Sequence, residues 1–258
     1  MKAHVVLAHP EPKSFNAHLA ELARQTLMDR GWDVSFTDLY ASGFDPCEKA
    51  AHYPIPAVPV RFDVQSEQNR ASANGTIPAV VQDEIDLLAH ADLVILQYPT
   101  WWHLPPAMLK GWFDRVFIYG AVYKSDFRFE RGRFVGQKAM LSTTVGTSRD
   151  TYAFDGRSGD IDLLLWPVNF SLAYVGFDVL KPQVAYGVEA GLRYSDPETI
   201  ADRLRKVQAD YVARLQAIET EAALPFNRME EWGKDGRIKP DAPAFTPFIR
   251  HRKDIDIG

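Results

Sequence analysis

The chain has 258 residues, 46% hydrophobic and 24% charged, which excludes wholesale disorder and supplies a large core. Twenty-nine Lys and Arg against 34 Asp and Glu give a net charge of −5 without any basic run, arguing against nucleic acid or anionic membrane as partner. Cys47 is the single cysteine, so no intrachain disulfide and no cysteine-based metal site can form.

A reducing compartment fits this cysteine usage. The apolar stretch of MKAHVVLAHPEP is too short for a signal peptide. No apolar run approaches the roughly 18 residues of a membrane span. A cytoplasmic protein without membrane insertion is expected.

In chain order, residues 4–8 (HVVLA) form an apolar run without alternation, as in a strand covered by helices on both faces. Ser14 is placed to cap a helix reaching about Arg30, with Gly31 just past its end. Residues 32–38 alternate, with Val34 and Phe36 on one face, which puts that strand nearer a sheet edge. Residues 47–76 hold Pro54, Pro56 and Pro59, end in Asn74-Gly75-Thr76, and read as a long irregular excursion. Ile77, Val81, Ile85 and Leu88 recur at helical spacing. Residues 93–98 and 139–144 are again strand-like apolar runs. Between them, Pro106 suits the first turn of a helix carrying Met108, Leu109, Trp112, Phe113 and Val116. Ile161, Leu164, Leu165 and Val168 form another stripe, which Pro167 is expected to kink. A fifth strand falls within 177–186, divided by Pro182. Asp196-Pro197 opens a last helix whose apolar face is Ile200, Leu204, Val207, Tyr211 and Leu215.

Strands alternating with helices imply right-handed crossovers and a parallel sheet. Five strands suit an α/β, flavodoxin-like doubly wound sheet over residues 1–224. Residues 225–258 set Pro225, Pro240, Pro243 and Pro247 beside Phe226, Trp232, Phe245 and Phe248. So many aromatics are unlike a disordered tail, and this extension is expected to pack on the body or on a second subunit.

No G-x-G-x-x-G, Walker A, H-E-x-x-H or G-x-S-x-G sequence is present, which disfavours a Rossmann dinucleotide site, a P-loop, a zincin and a hydrolase elbow. Three loops at strand ends stand out instead. The first, His9 to Asn16, runs into a helix N-terminus, where free backbone N–H groups suit a phosphate, with His9 and Lys13 as added donors. The second holds Thr100, Trp101, Trp102 and His103, aromatic groups that a planar ligand would cover by stacking. The third is Thr143-Thr144-Val145-Gly146, with hydroxyl and N–H donors for the polar edge of a heterocycle. Together they describe a slot with a phosphate end, a stacking wall and a polar rim.

The motifs H-x-E-x-x-S-F-N from His9, Y-P-x-x-W-x-x-x-P-A-x-L-K-G-W-F-D-R-V-F from Tyr98, T-T-x-G from Thr143, L-W-P from Leu165 and G-F-x-V-L-x-P-Q from Gly176 resemble the NAD(P)H:quinone oxidoreductases. This is the DT-diaphorase family of flavodoxin-like flavoproteins, and the likeness covers roughly residues 1–220. It implies a homodimer with FAD bound where the subunits meet, although the phosphate loop would also hold FMN. It implies a hydride passed from NAD(P)H through the flavin to a quinone, in ping-pong order.

By the same resemblance His9, Phe15 and Asn16 lie at the pyrophosphate and ribityl chain, and Lys13 and Ser14 of the same loop are added as cofactor-binding candidates from its helix-start chemistry. Thr100, Trp101, Trp102 and His103 lie along the isoalloxazine, and Thr143, Thr144, Val145 and Gly146 meet its pyrimidine edge. Tyr152 matches a tyrosine near flavin O2, with one inserted residue before it. Tyr123 matches the first of two substrate-pocket tyrosines, and Ser125 takes the second place. Where the mammalian family has a charge-stabilising histidine, this chain has Ser158, and either the adjacent Arg157, acting electrostatically, or solvent with Tyr152 is expected to take that role. Arg203 is the nearest counterpart of a family arginine at the adenine end, but the loop before it differs in length, so it is left unassigned. Nitroaromatic or azo acceptors fit the same slot. A flavin-binding regulatory subunit of a potassium efflux system shares the fold.

Overall fold

A computed structural model describes residues 1–55, 60–189 and 195–254. Four strands, β1 (Lys2–Leu7), β2 (Asp33–Asp38), β3 (Leu93–Pro99) and β4 (Lys138–Thr144), lie in the order β2-β1-β3-β4 with every pair parallel. The apolar run expected at 177–186 forms two short strands, β5 (Asp178–Val179) and β6 (Gln183–Ala185), on either side of Pro182. Both pair with β4. Strand β2, the alternating one, is at the edge.

Helices cover both faces. Successive strand residues point to opposite sides, so Val5, Leu7 and Ile95 join Leu19 and Leu27 of α1 (Phe15–Asp29) and Tyr211 and Leu215 of α6 (Pro197–Leu215). Val6, Val94 and Leu96 meet Ile85 of α3 (Ala79–His90), Trp112 of α4 (Ala107–Val116) and Leu165 of α5 (Ile161–Tyr174).

Local chemistry sets the ends. Ser14 accepts from the Ala17 N–H at 3.1 Å and starts α1. Gly31, at φ 81°, turns the chain after it. Asp196 caps α6, and Pro197 is its first residue. Pro106 stands at the cap of α4 rather than inside it. Ile77 precedes α3, because Pro78 holds its cap position. Helix α5 runs on through Pro167. A side chain on Gly111 would collide with the Pro46 backbone, so glycine lets α4 lie against that segment.

The excursion is less irregular than expected. It contains α2 (Val64–Asn74), capped by Asp63 and ended by Gly75 at φ 66°. Its buried face is Glu67, Gln68 and Ala71, so its inward side chains are mostly polar. Pro56 and Pro59 lie outside the described residues, as do 255–258 of the extension. Elsewhere in the extension, the Phe248 ring stacks on Trp166 of α5 at 4.7 Å and Phe226 approaches Phe170 at 6.3 Å.

Candidate functional site

The order β2-β1-β3-β4 reverses direction between β1 and β3, and ligands of open α/β sheets sit beyond the carboxyl ends at such a point. The loops after β1, β3 and β4 are therefore neighbours. Buried hydrogen bonds tie them together. Thr100 and Thr143 share a hydroxyl bond at 2.8 Å, and the Thr100 N–H donates to the Thr144 carbonyl at 3.0 Å. Asn16 Nδ2 donates to Thr144 Oγ1 at 2.9 Å, and Gln97 Nε2 donates to Asn16 Oδ1 at 2.8 Å.

At the first loop, the Glu11 N–H donates to His9 Nδ1 at 3.0 Å. The Glu11 carbonyl also lies 3.2 Å from His9 Nδ1, so Nε2 is the ring nitrogen left for a ligand. The Lys13 N–H donates to Glu11 Oε1 at 2.8 Å, while the Lys13 side chain is exposed. Among the described residues no acceptor engages the N–H groups of Phe15 and Asn16, which are the first-turn donors a helix leaves open.

The second loop is folded against backbone preference. Trp102 and His103 are left-handed, at φ 52° and 64°, a conformation that non-glycine residues adopt at a cost of about 1–2 kcal/mol each. Trp101 pairs with Leu104 through two backbone bonds, and its ring meets His9 edge-on at 5.8 Å. The turn lifts Trp102 outward, leaving it 92% exposed. A large apolar ring held in water by a strained turn is a surface prepared for contact.

Beyond β4, a cleft of about 1330 Å³ is lined by Gly146, Thr147, Arg149, Tyr152, Arg157 and Tyr186, with Arg203 and Val207 of α6 farther along. Of the three-loop residues only Gly146 borders it, so slot and cleft meet there. Thr147 Oγ1 is buried without a hydrogen-bond partner among the described residues. Burial pushes the Tyr152 hydroxyl above its ordinary range, so it stays a neutral donor. Burial does the same for Tyr186, with Arg149, 5.3 Å from its ring, pulling the other way. Arg157 is exposed on the rim. Arg203 donates to the Gly187 carbonyl at 2.9 Å and to Glu189 at 3.1 Å.

Of the residues singled out from sequence, those of the three loops converge, and Tyr152 and Arg157 share the cleft. Tyr123 stands apart from the cleft lining, edge-on to Tyr119 and Tyr174 at 5.5 and 5.9 Å, and Ser125 is exposed. Sequence reasoning missed Gln97, hidden in an apolar strand, and Arg149 and Tyr186, which enter from loops without periodic signal.

The family model described as a flavodoxin-like fold matches residues 1–211. NAD(P)H dehydrogenase [quinone] 1 of Cavia porcellus is 35% identical over 229 residues, 87% of this chain and 80% of that protein. Ribosyldihydronicotinamide dehydrogenase [quinone] of Mus musculus is 35% identical over 222 residues, 84% and 91%. A solved structure from Klebsiella pneumoniae, described as a quinone reductase, superposes with a TM-score of 0.83 at 33% identity, covering 93% of this chain and 94% of its own. The shared fold, the tied strand-end loops and these relatives together make the chain an oxidoreductase that belongs to the NAD(P)H:quinone oxidoreductase family of flavodoxin-like proteins.

Proposed function

We propose that the chain is a flavin-dependent NAD(P)H oxidoreductase that delivers a hydride to a quinone-type acceptor by a ping-pong sequence, working as a homodimer with FAD. The observation that carries this reading is the slot: open helix N-terminal donors, a polar rim and an exposed indole, held in one unit by buried hydrogen bonds. These groups fit a flavin, which has an anionic tail, a planar ring and a polar ring edge. When bound, the flavin supplies the two-electron redox chemistry that no side chain of this chain can perform.

Phe15 and Asn16 hold the phosphate end through their open N–H groups and the helix dipole, with the His9 ring and the Lys13 ammonium as side-chain donors and Ser14 as the cap that starts the helix. Trp101 and Trp102, with Thr100 and His103, supply the stacking wall and exclude water from it. Thr143, Thr144, Val145 and Gly146 frame the polar ring edge: the Thr143 hydroxyl is tied to Thr100 and the Val145 N–H to the Ala185 carbonyl, so the Gly146 backbone is the part that faces the cleft. Tyr152, kept protonated by burial, donates a hydrogen bond there. Arg157 adds positive charge from the rim. Tyr123 serves an acceptor pocket completed by the second subunit.

Absorbance near ~450 nm in the purified protein and mass analysis of the released cofactor test the flavin. Turnover of a benzoquinone with NADPH then separates an enzyme from a flavin-binding regulatory subunit. A colourless protein that takes up no flavin would falsify the reading.

A further inference from the structure

We propose that Gln97 is a positioning residue: its buried amide, acting through Asn16, registers the phosphate loop against the ring-edge loop, so that a flavin dinucleotide spanning both is held better than a ligand touching one. The inference rests on the flavin reading above and concerns a residue outside the ligand's reach.

Gln97 belongs to β3, the strand between β1 and β4, and is paired in register with Leu7 on one side and Ser142 on the other. It is fully buried. Asn16, also buried, is the second residue of α1, and Thr144 closes β4. The 2.8 Å bond from Gln97 Nε2 to Asn16 Oδ1 and the 2.9 Å bond from Asn16 Nδ2 to Thr144 Oγ1 therefore run from the central strand, through the helix start, to the ring-edge loop.

The Gln97 bond depends on which way the Asn16 amide faces. A donor from Gln97 demands the Asn16 oxygen on its side, which leaves the Asn16 N–H groups toward Thr144. The Thr144 hydroxyl can donate or accept and so takes either end of the Asn16 amide. The Gln97 amide is therefore the partner that has to match Asn16. Its own Oε1 accepts no bond among the described residues, so the amide is not explained by its own full hydrogen bonding. Its one bonded group is the N–H that orients Asn16.

The consequence is geometric. A ligand that reaches two subsites gains from their fixed separation as a bivalent ligand gains from a rigid linker. A ligand of one subsite gains nothing.

The test uses the full chain freed of flavin and titrated with FAD, with riboflavin and with inorganic pyrophosphate. Gln97→Met keeps the volume and length of the side chain and removes the donor. FAD affinity is expected to fall about tenfold, equivalent to ~1.4 kcal/mol. Riboflavin and pyrophosphate are each expected to change by less than about twofold. The FAD-to-riboflavin ratio is the readout that a general loosening leaves unmoved. Thr144→Val cuts the same chain one link later, so the double variant should bind FAD within about twofold of Thr144→Val alone. If Gln97→Met does not fold, Gln97→Leu, which removes the same donor, carries the same expectations. An equal loss of FAD and riboflavin, an unchanged FAD affinity, or additive effects of Gln97→Met and Thr144→Val would overturn the proposal. Failure of the unaltered chain to bind any flavin overturns the functional reading as well.

Discussion

Trp102 couples a strained backbone to an unprotected ring. At φ 52° a residue without a β-carbon would be at ease, so Trp102→Gly should raise the melting temperature of the flavin-free protein by about 2–4 °C. The same change removes a stacking surface and should weaken flavin retention up to about tenfold. Calorimetry and flavin titration read the two effects separately. A variant that keeps full affinity would reduce Trp102 to a surface ornament of the loop. Arg157 poses the opposite case, a charge in water. Its fixed positive charge would assist flavin reduction by NADPH. Screening at the exposed rim limits the rate loss in Arg157→Ala to less than about tenfold, as stopped-flow kinetics can measure. A larger loss would mean that the rim closes over Arg157 in the working enzyme.

At the scale of elements, a buried carboxylate joins three of them. Glu84 of α3 accepts from Trp112 Nε1 of α4 and from Thr37 of β2, each at 2.8 Å, and stands 3.6 Å from His4 of β1. Burial pushes its carboxyl up, but His4, Thr37 and Trp112 more than offset this and hold it below its ordinary 4.5. A lowered folded value means that the stabilisation is present above pH 4.5 and is lost as pH falls through the folded value. Glu84→Leu leaves the Trp112 and Thr37 donors unpaired and should cost about 3 kcal/mol at pH 7. Urea unfolding at pH 7 and pH 4 should show the difference narrowing on acidification, and a constant difference would remove Glu84 from the acid response.

The elements also divide by how they could be read in advance. Buried parallel strands announce themselves as short apolar runs, which is why β1, β3 and β4 were legible. Helix α2 was not, because Gln68 and Glu67 line its buried side. Gln68 donates to the Asp114 carbonyl and accepts from the Tyr119 N–H, so hydrogen bonds hold this helix where hydrophobic periodicity is absent. The cap residues Asp63 and Gly75 were the available signals. In the site, the three loops were legible because ligand chemistry crowds unusual residues at strand ends. Gln97 was hidden by its apolar neighbours, and Arg149 and Tyr186 by loops whose paths no local rule sets.

For the whole molecule, the slot has one wall in a single chain, and Trp101, Leu104 and Phe154 add further exposed apolar surface. Pairing of two copies is the proposed cover. Light scattering at micromolar concentration should give twice the 29.1 kDa of the chain. A monomer under those conditions would leave the stacking wall to be closed by the extension or by the ligand alone.

The uneven burial of the tryptophans has an optical consequence. Of the six, Trp112 and Trp32 are enclosed and Trp102 is almost bare. Acrylamide colliding with the flavin-free monomer therefore extinguishes one emitter first, the one that contacts solvent most freely. A flavin stacked on that indole extinguishes its emission by accepting its excitation, whereas a second copy that only covers it blue-shifts the emission and slows acrylamide quenching. The chain thus carries, at the mouth of its own slot, a fluorophore that reports occupancy without a label.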